Sequence, residues 1–481
     1  MVGKSKLLVS SNLSAIEARR LIGLKELSPV ELLECCISRI ENANPVLNAI
    51  VAADFAVARR EARHAEAAVL RGDKLGRLHG IPVAIKDLCD TAGLRTTYGS
   101  LVFQDHVPKA DDPVVANMRG DGAIIVGKTN TPEFGAGGTT VNRVYGVTRN
   151  PFDSTRTCGG SSGGSAVAVA AGMATVATGS DTGGSLRIPA SFCGVVAYRP
   201  TPGLVPSRAN RVGWTAFGTQ GPIARTVADC ALVLSVMAGR KAGAHVDHPS
   251  EACFGSGGCD MSLAKLRVAF SEDLGFASVS DVIRVGFRAR MEVLESMFAR
   301  AESADPELGE ANRVFWILRT SHLASAHHRH YLERPGLLGR NVTSAIEAGL
   351  KWSEGEVRWA VTEQQRIVSR FERFMREYDL LISPATAVPP FPVGLPYCSE
   401  VDGQALASYT DWLSIAYGLS LSEAPVCLLP CGLDMTEMPF GLQIVAKRGC
   451  DRFLLRAAAA IEACLAATPW LSRPRPPVAS V

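Results

Sequence analysis

Residues 158–166 read CGGSSGGSA, and residues 166–179 continue as AVAVAAGMATVATG. That second run is rich in Ala, Gly and Thr. It is short for a membrane span and reads as an interior segment packed tightly against its neighbours. The glycines and serines before it have the composition of a linker, but a linker does not end in an alanine–valine helix that must be buried. A second Gly-rich turn, Asp181-Thr182-Gly183-Gly184-Ser185, follows the run. The fold must therefore bury a small-residue helix and a strand between two glycine-rich turns, each presenting serine. With 47% hydrophobic and 20% charged residues, the chain can form the large core this demands, and global disorder is excluded.

The flanking sequence alternates in texture. Ser28-Pro29-Val30-Glu31 has a capping-box Ser, a first-turn Pro and an N3 Glu, which predicts a helix from there to about Asn44, before Pro45. A second helix is expected from about Asp54 to Leu70. Ile81–Lys86 and Ala123–Gly127 read as short apolar strands, with a helix from about Pro113 to Gly120 between them. After Gly164 a small-residue helix should run to about Gly172, then a strand to Gly179. Short buried strands alternating with helices predict an α/β class. Residues 240–262 are polar and Gly-rich. Beyond them come a strand at Leu266–Phe270, a long helical region to about Tyr378, strands at Leu380–Ser383 and Phe440–Val445, and a last helix at about Cys450 to Ala467. The late strands most simply complete the sheet begun before residue 240. The expected organisation is a helical region at 1–75 packing on the core or on a dimer partner, a core at 76–240, a loop at 241–262, and a second part of the same domain at 263–470. A helical, pocket-building insertion at about 305–420 belongs to that second part.

Several function classes are disfavoured. A formal net charge of +3 is too small to argue for nucleic acid or an anionic membrane. The first residues lack the continuous apolar stretch of a secretory signal. The 13 cysteines are odd in number and scattered, which suits buried thiols of a reducing, cytoplasmic compartment better than a disulfide framework. Gly122–Thr129 matches the P-loop pattern letter for letter, and a nucleotide-binding module is the rival it raises. The residues that would have to wrap phosphate are Ala-Ile-Ile-Val, which is strand, and Asn130-Thr131-Pro132 cannot start a helix at once. His245, His248, Cys253 and Cys259 fit no standard zinc spacing, so no metal is expected. His327-His328-Arg329-His330 reads as a solvated helix face.

Glycines before a serine let consecutive backbone N–H groups converge on one point, as an oxyanion hole requires. Apart from His79, no histidine lies in or near either motif, so a Ser-His-Asp arrangement has no local support. A lysine can act as a base only when neutral, and burial of Lys86 at a strand end lowers its pKa toward that state. Ser162 and Ser165 read as helix-start residues that cap and pack. Asp181 and Arg187 read as structural supports of the turn.

Gly159–Ala190, with Gly-Gly-Ser-Ser-Gly-Gly-Ser and Asp-Thr-Gly-Gly-Ser-Leu-Arg-Ile-Pro-Ala, resembles the amidase signature hydrolases. The likeness extends to His79–Asp87, Gly127–Asn130, Gly221–Arg225 and Gly441–Ile444. It implies a single large α/β/α domain with a mixed central β-sheet flanked by helices, and a Ser–cisSer–Lys triad. Carried onto matching positions, the nucleophile is Ser185, the bridging serine Ser161 and the base Lys86. The cis peptide would be Gly160–Ser161 or Ser161–Ser162. The oxyanion would meet the amides of Thr182, Gly183, Gly184 and Ser185. Phe134, Gly135, Ala136 and Gly137 resemble the segment lining the acyl side. Trp316, His322, Tyr331, Tyr409 and Trp412 are pocket candidates, each with core packing as the alternative.

The resemblance implies a stand-alone amidase cleaving a small-molecule amide through an acyl-enzyme, with no cofactor, no nucleic acid and no membrane. A homodimer is compatible with it. The alternative within the family is the A subunit of a glutamine-dependent tRNA amidotransferase.

Overall fold

The computed structural model describes residues 12–206, 217–239 and 261–477. Ser28 caps the helix Pro29–Leu47 through a complete capping box with Glu31. The helix does not stop before Pro45. It carries Pro45 in its last turn and ends at Asn48, which takes the left-handed conformation at φ 50°. Phe55–Arg71 follows, capped by Asp54.

Among the described residues, eleven strands form one sheet. From edge to edge they are Ile50–Ala52, Ile124–Thr129, Pro82–Lys86, Val176–Asp181, Thr219–Ala224, Val196–Arg199, Val426–Leu433, Pro439–Val445, Leu380–Pro384, Arg267–Phe270 and Arg300–Ser303. Pro82–Lys86 pairs in parallel with both Ile124–Thr129 and Val176–Asp181, whereas Val176–Asp181 pairs antiparallel with Thr219–Ala224. The sheet is therefore mixed. Strands from before and after residue 240 share it, and helices flank it, as an α/β single domain requires. The long helical region expected after Phe270 is interrupted by Arg300–Ser303, a polar strand at the sheet edge.

Within Gly122–Thr129, Ile124–Thr129 is strand where the sequence demanded one, and Lys128 is buried there. Its ammonium donates to the Cys89 carbonyl and to the Thr91 and Thr96 hydroxyls, leaving no loop to wrap phosphate. Among the described residues no helix is long and apolar enough to cross a membrane. His245, His248, Cys253 and Cys259 lie outside the described residues.

Candidate active site

Two neighbouring parallel strands bring the key residues together. Val83 stands opposite Val176 and Ala84 opposite Ala177, so Lys86 closes its strand level with Gly179, two residues before the neighbouring strand ends at Asp181. The turn after Asp181 and the turn before the helix Gly163–Ala170 meet at this end. The helix lies so close to the sheet that a Cβ on Gly164 would fall 2.3 Å from the Asn130 amide nitrogen, which only glycine accommodates. The Ser162 amide donates to the Ser185 carbonyl at 3.1 Å and ties the two turns together.

Lys86 is fully buried, and its Nζ lies 2.7 Å from Ser161 Oγ, 2.8 Å from Ser162 Oγ and 2.9 Å from Ser180 Oγ. The Gly160–Ser161 peptide is cis. Burial draws the Lys86 pKa down to about 7 against upward pulls from Cys89 and Asp181. Ser185 is half-buried on the adjoining turn. Two partners of Lys86 depart from the sequence expectation. Ser162 begins its helix without a capping hydrogen bond and turns its hydroxyl to the lysine instead. Ser180, inside a strand, carries no signal in the sequence; it arrives through the parallel register. Ser165 does pack as expected, bonding Thr129 and the Thr178 carbonyl.

The 181–187 turn is held from within. Asp181 accepts from both Arg187 and Arg199, and all three side chains are inaccessible to solvent. Burial pushes its carboxyl up, but the two guanidinium groups outweigh this and hold it well below the usual carboxylate range. Arg187 also reaches the Ala416 carbonyl, Gln443 and Ser420, anchoring the turn to distant strands and helices. Gly184 sits at φ 106°, and its amide donates to Asp181 Oδ1 at 2.8 Å. That bond corrects the oxyanion expectation at one position, because the Gly184 N–H is already engaged. The amides of Thr182, Gly183 and Ser185 have no such acceptor among the described residues. Asp181→Ala is expected to lower stability by about 3–5 kcal/mol, since it strands two buried guanidinium groups. An unchanged midpoint of chemical unfolding would contradict this.

Of the expected acyl-side segment, Gly135 lies closest to the serines: a Cβ there would fall 3.4 Å from Ser161 Oγ. Ala136 is buried and Gly137 sits beside Pro132. Phe134 stacks on His327 at a centroid distance of 3.9 Å, with His330 also parallel to it. The solvated-face reading of 327–330 therefore fails for these two histidines. They are three apart, share one face, and are covered by Phe134 and Phe103. Burial lowers the His327 pKa to about 4. Trp412 is buried with its ring edge against Gly138, Trp316 packs edge-on to Tyr409, and Tyr331 donates to Glu347. His322 is half-buried, with its pKa lowered by burial and by Arg319.

The arrangement can abstract a proton from a hydroxyl through a neutral amine and can stabilise an anion on free backbone amides. A family model for amidases matches residues 31–455. The chain is 33% identical over 464 residues to an acylamidase of Rhodococcus erythropolis, covering 96% of either protein. It is 32% identical to the A subunit of the glutamyl-tRNA(Gln) amidotransferase of Carboxydothermus hydrogenoformans, covering 94% of this chain and 96% of that protein. Its fold superimposes on a bacterial aryl acylamidase of the amidase signature enzymes with a TM-score of 0.87 at 26% identity, covering 95% and 96% of the two chains.

Proposed function

Since this chain belongs to the amidase family and is a hydrolase of amide C–N bonds, we propose that Ser185 is its nucleophile, Ser161 its proton relay and Lys86 its base. The observation that carries the proposal is the buried Lys86 amine at 2.7 Å from Ser161 Oγ. Neutral lysine has two N–H bonds and one lone pair. Ser162 directs its own hydrogen at the Ser180 carbonyl, 3.2 Å away, and so accepts from Lys86. Ser180 Oγ accepts the second N–H. The lone pair is then left for the Ser161 hydroxyl.

Ser185 passes its proton to Ser161 as Ser161 passes its own to Lys86, and Ser185 Oγ bonds to the amide carbon. The oxyanion is met by the amides of Thr182, Gly183 and Ser185. Breaking the C–N bond returns the proton through Ser161 to the leaving nitrogen. Water, deprotonated along the same relay, then releases the acid from the acyl-enzyme.

The substrate we infer is a small-molecule acyl amide cleaved by the chain acting alone, in keeping with the acylamidase relative and the aryl acylamidase structure. Cytoplasmic location belongs to the same proposal, since free buried thiols such as Cys158 and Cys193 suit a reducing compartment. The 32% identity to an amidotransferase component supports the second reading, glutamine hydrolysis within a tRNA-amidating complex. Amide hydrolysis by the purified chain without ATP, tRNA or partner proteins separates the two. A fluorophosphonate probe is expected to add to Ser185. Mass spectrometry finding the adduct on Ser161, or no adduct, would overturn the nucleophile assignment.

A further inference from the structure

The helix Ala311–Glu333 is pinned to both flanks of the site. Near its start Phe315 abuts the Ser185 turn, where a Cβ on Gly183 would fall 2.6 Å from Phe315 Cζ. Near its end His327 stacks on Phe134, the neighbour of Gly135. The helix between these two contacts is about 18 Å long at ~1.5 Å per residue, and it runs from the Ser185 turn to the Phe134–Gly135 segment. Spacings of four and three place Arg319 and His322 on the face that Phe315 presents.

The Arg319 guanidinium lies over the Tyr409 ring at 5.3 Å from its centroid. It makes no hydrogen bond or ion pair among the described residues, and its Nη1 is shielded from solvent. His322 Nδ1 and the Tyr409 hydroxyl are likewise shielded and unpartnered, as is the indole N–H of Trp412, a residue 1% exposed. Buried polar atoms are nearly always paired, so Arg319, His322 and Tyr409, left unpaired on and against the helix that joins the two flanks of the site, await a partner that arrives with the substrate. A planar cation lying over a tyrosine whose own hydroxyl is unpartnered matches a carboxylate, which accepts from both and takes the guanidinium in bidentate fashion.

We propose that Arg319 is a specificity-determining residue that selects amides bearing a carboxylate apart from the scissile carbonyl. The proposal rests on the Ser185-centred reading above and specifies its substrate class. Two matched pairs test it. With the charge on the amine side, 4-acetamidobenzoate is compared with 4-acetamidoacetophenone. With the charge on the acyl side, succinanilate is compared with the anilide of 4-oxopentanoic acid. In each pair a carboxylate replaces a methyl ketone. In one of the two pairs kcat/KM is expected to favour the carboxylate by about 10–100-fold, mainly through KM. Arg319→Gln should bring that ratio close to one, and Arg319→Lys should keep part of it by retaining charge without the fork. Absence of a carboxylate preference in both pairs, or a preference that survives in Arg319→Gln, overturns the proposal. The same preference is also read without turnover, as calorimetric binding of all four compounds to the Ser185→Ala protein with and without Arg319→Gln. Failure of the Ser185 mechanism and failure of the Arg319 proposal are thereby seen separately.

Discussion

Replacing Ser185 with alanine is expected to lower kcat for amide hydrolysis by about 10⁵-fold with the fold intact, because the members of a triad act as a unit. The residual rate would come from the free amides of the turn and from binding alone. Ser161→Ala should lose nearly as much, since Lys86 then has no hydroxyl through which to reach the nucleophile. Ser162→Ala should fall between these and the wild type, at about 10–100-fold, because Ser162 accepts one N–H of Lys86 and keeps its lone pair aimed. A Ser162 confined to a capping role would leave near-normal activity in that variant, so its rate separates the two views. Steady-state kinetics on one anilide, with circular dichroism to verify folding, supplies the ranking. Ser185→Ala within tenfold of wild type would remove it from the role of nucleophile.

The parts of this site that were legible in the sequence are those encoded by local spacing. Both glycine–serine turns, the strand ending at Lys86 and the Asp181–Arg187 support follow from residues a few positions apart. Ser180 was illegible because a serine inside VATGSD has no local mark; the register of two strands far apart in sequence gives it its partner. The same holds for His327 and His330, whose polar neighbours suggest solvent while Phe134, from a distant segment, covers them. Gly184 fits an oxyanion donor by pattern, yet the Asp181 carboxylate three residues earlier claims its amide. In the fold, Arg300–Ser303 lacks apolar alternation because it is an edge strand, partly exposed along its length. Val426–Leu433 does not read as a strand because Pro430 and Gly432 break its texture, although seven of its eight residues are buried.

Lys86 carries the pH dependence. With its pKa drawn to about 7 by burial, the lysine is protonated in acid and cannot accept a proton from Ser161. Neutralisation as the pH rises restores the base. A plot of log kcat/KM against pH should therefore climb through a midpoint near 7 and then level off, with the limb belonging to the coupled lysine–serine group as a whole. Lys86→Ala should abolish that limb and reduce amide hydrolysis by about 10⁴-fold. The loss on a matched ester should be smaller. A departing amine must receive a proton as the C–N bond breaks, whereas an alkoxide leaves with less help, so an ester needs the lysine chiefly for the forward transfer from Ser185. Measuring both substrates from about pH 5 to about pH 10, in the wild type and in Lys86→Ala, tests the two halves of the relay separately. A flat wild-type profile would show that no titrating base limits the reaction. Equal losses on amide and ester would show that Lys86 does not return the proton to the leaving nitrogen.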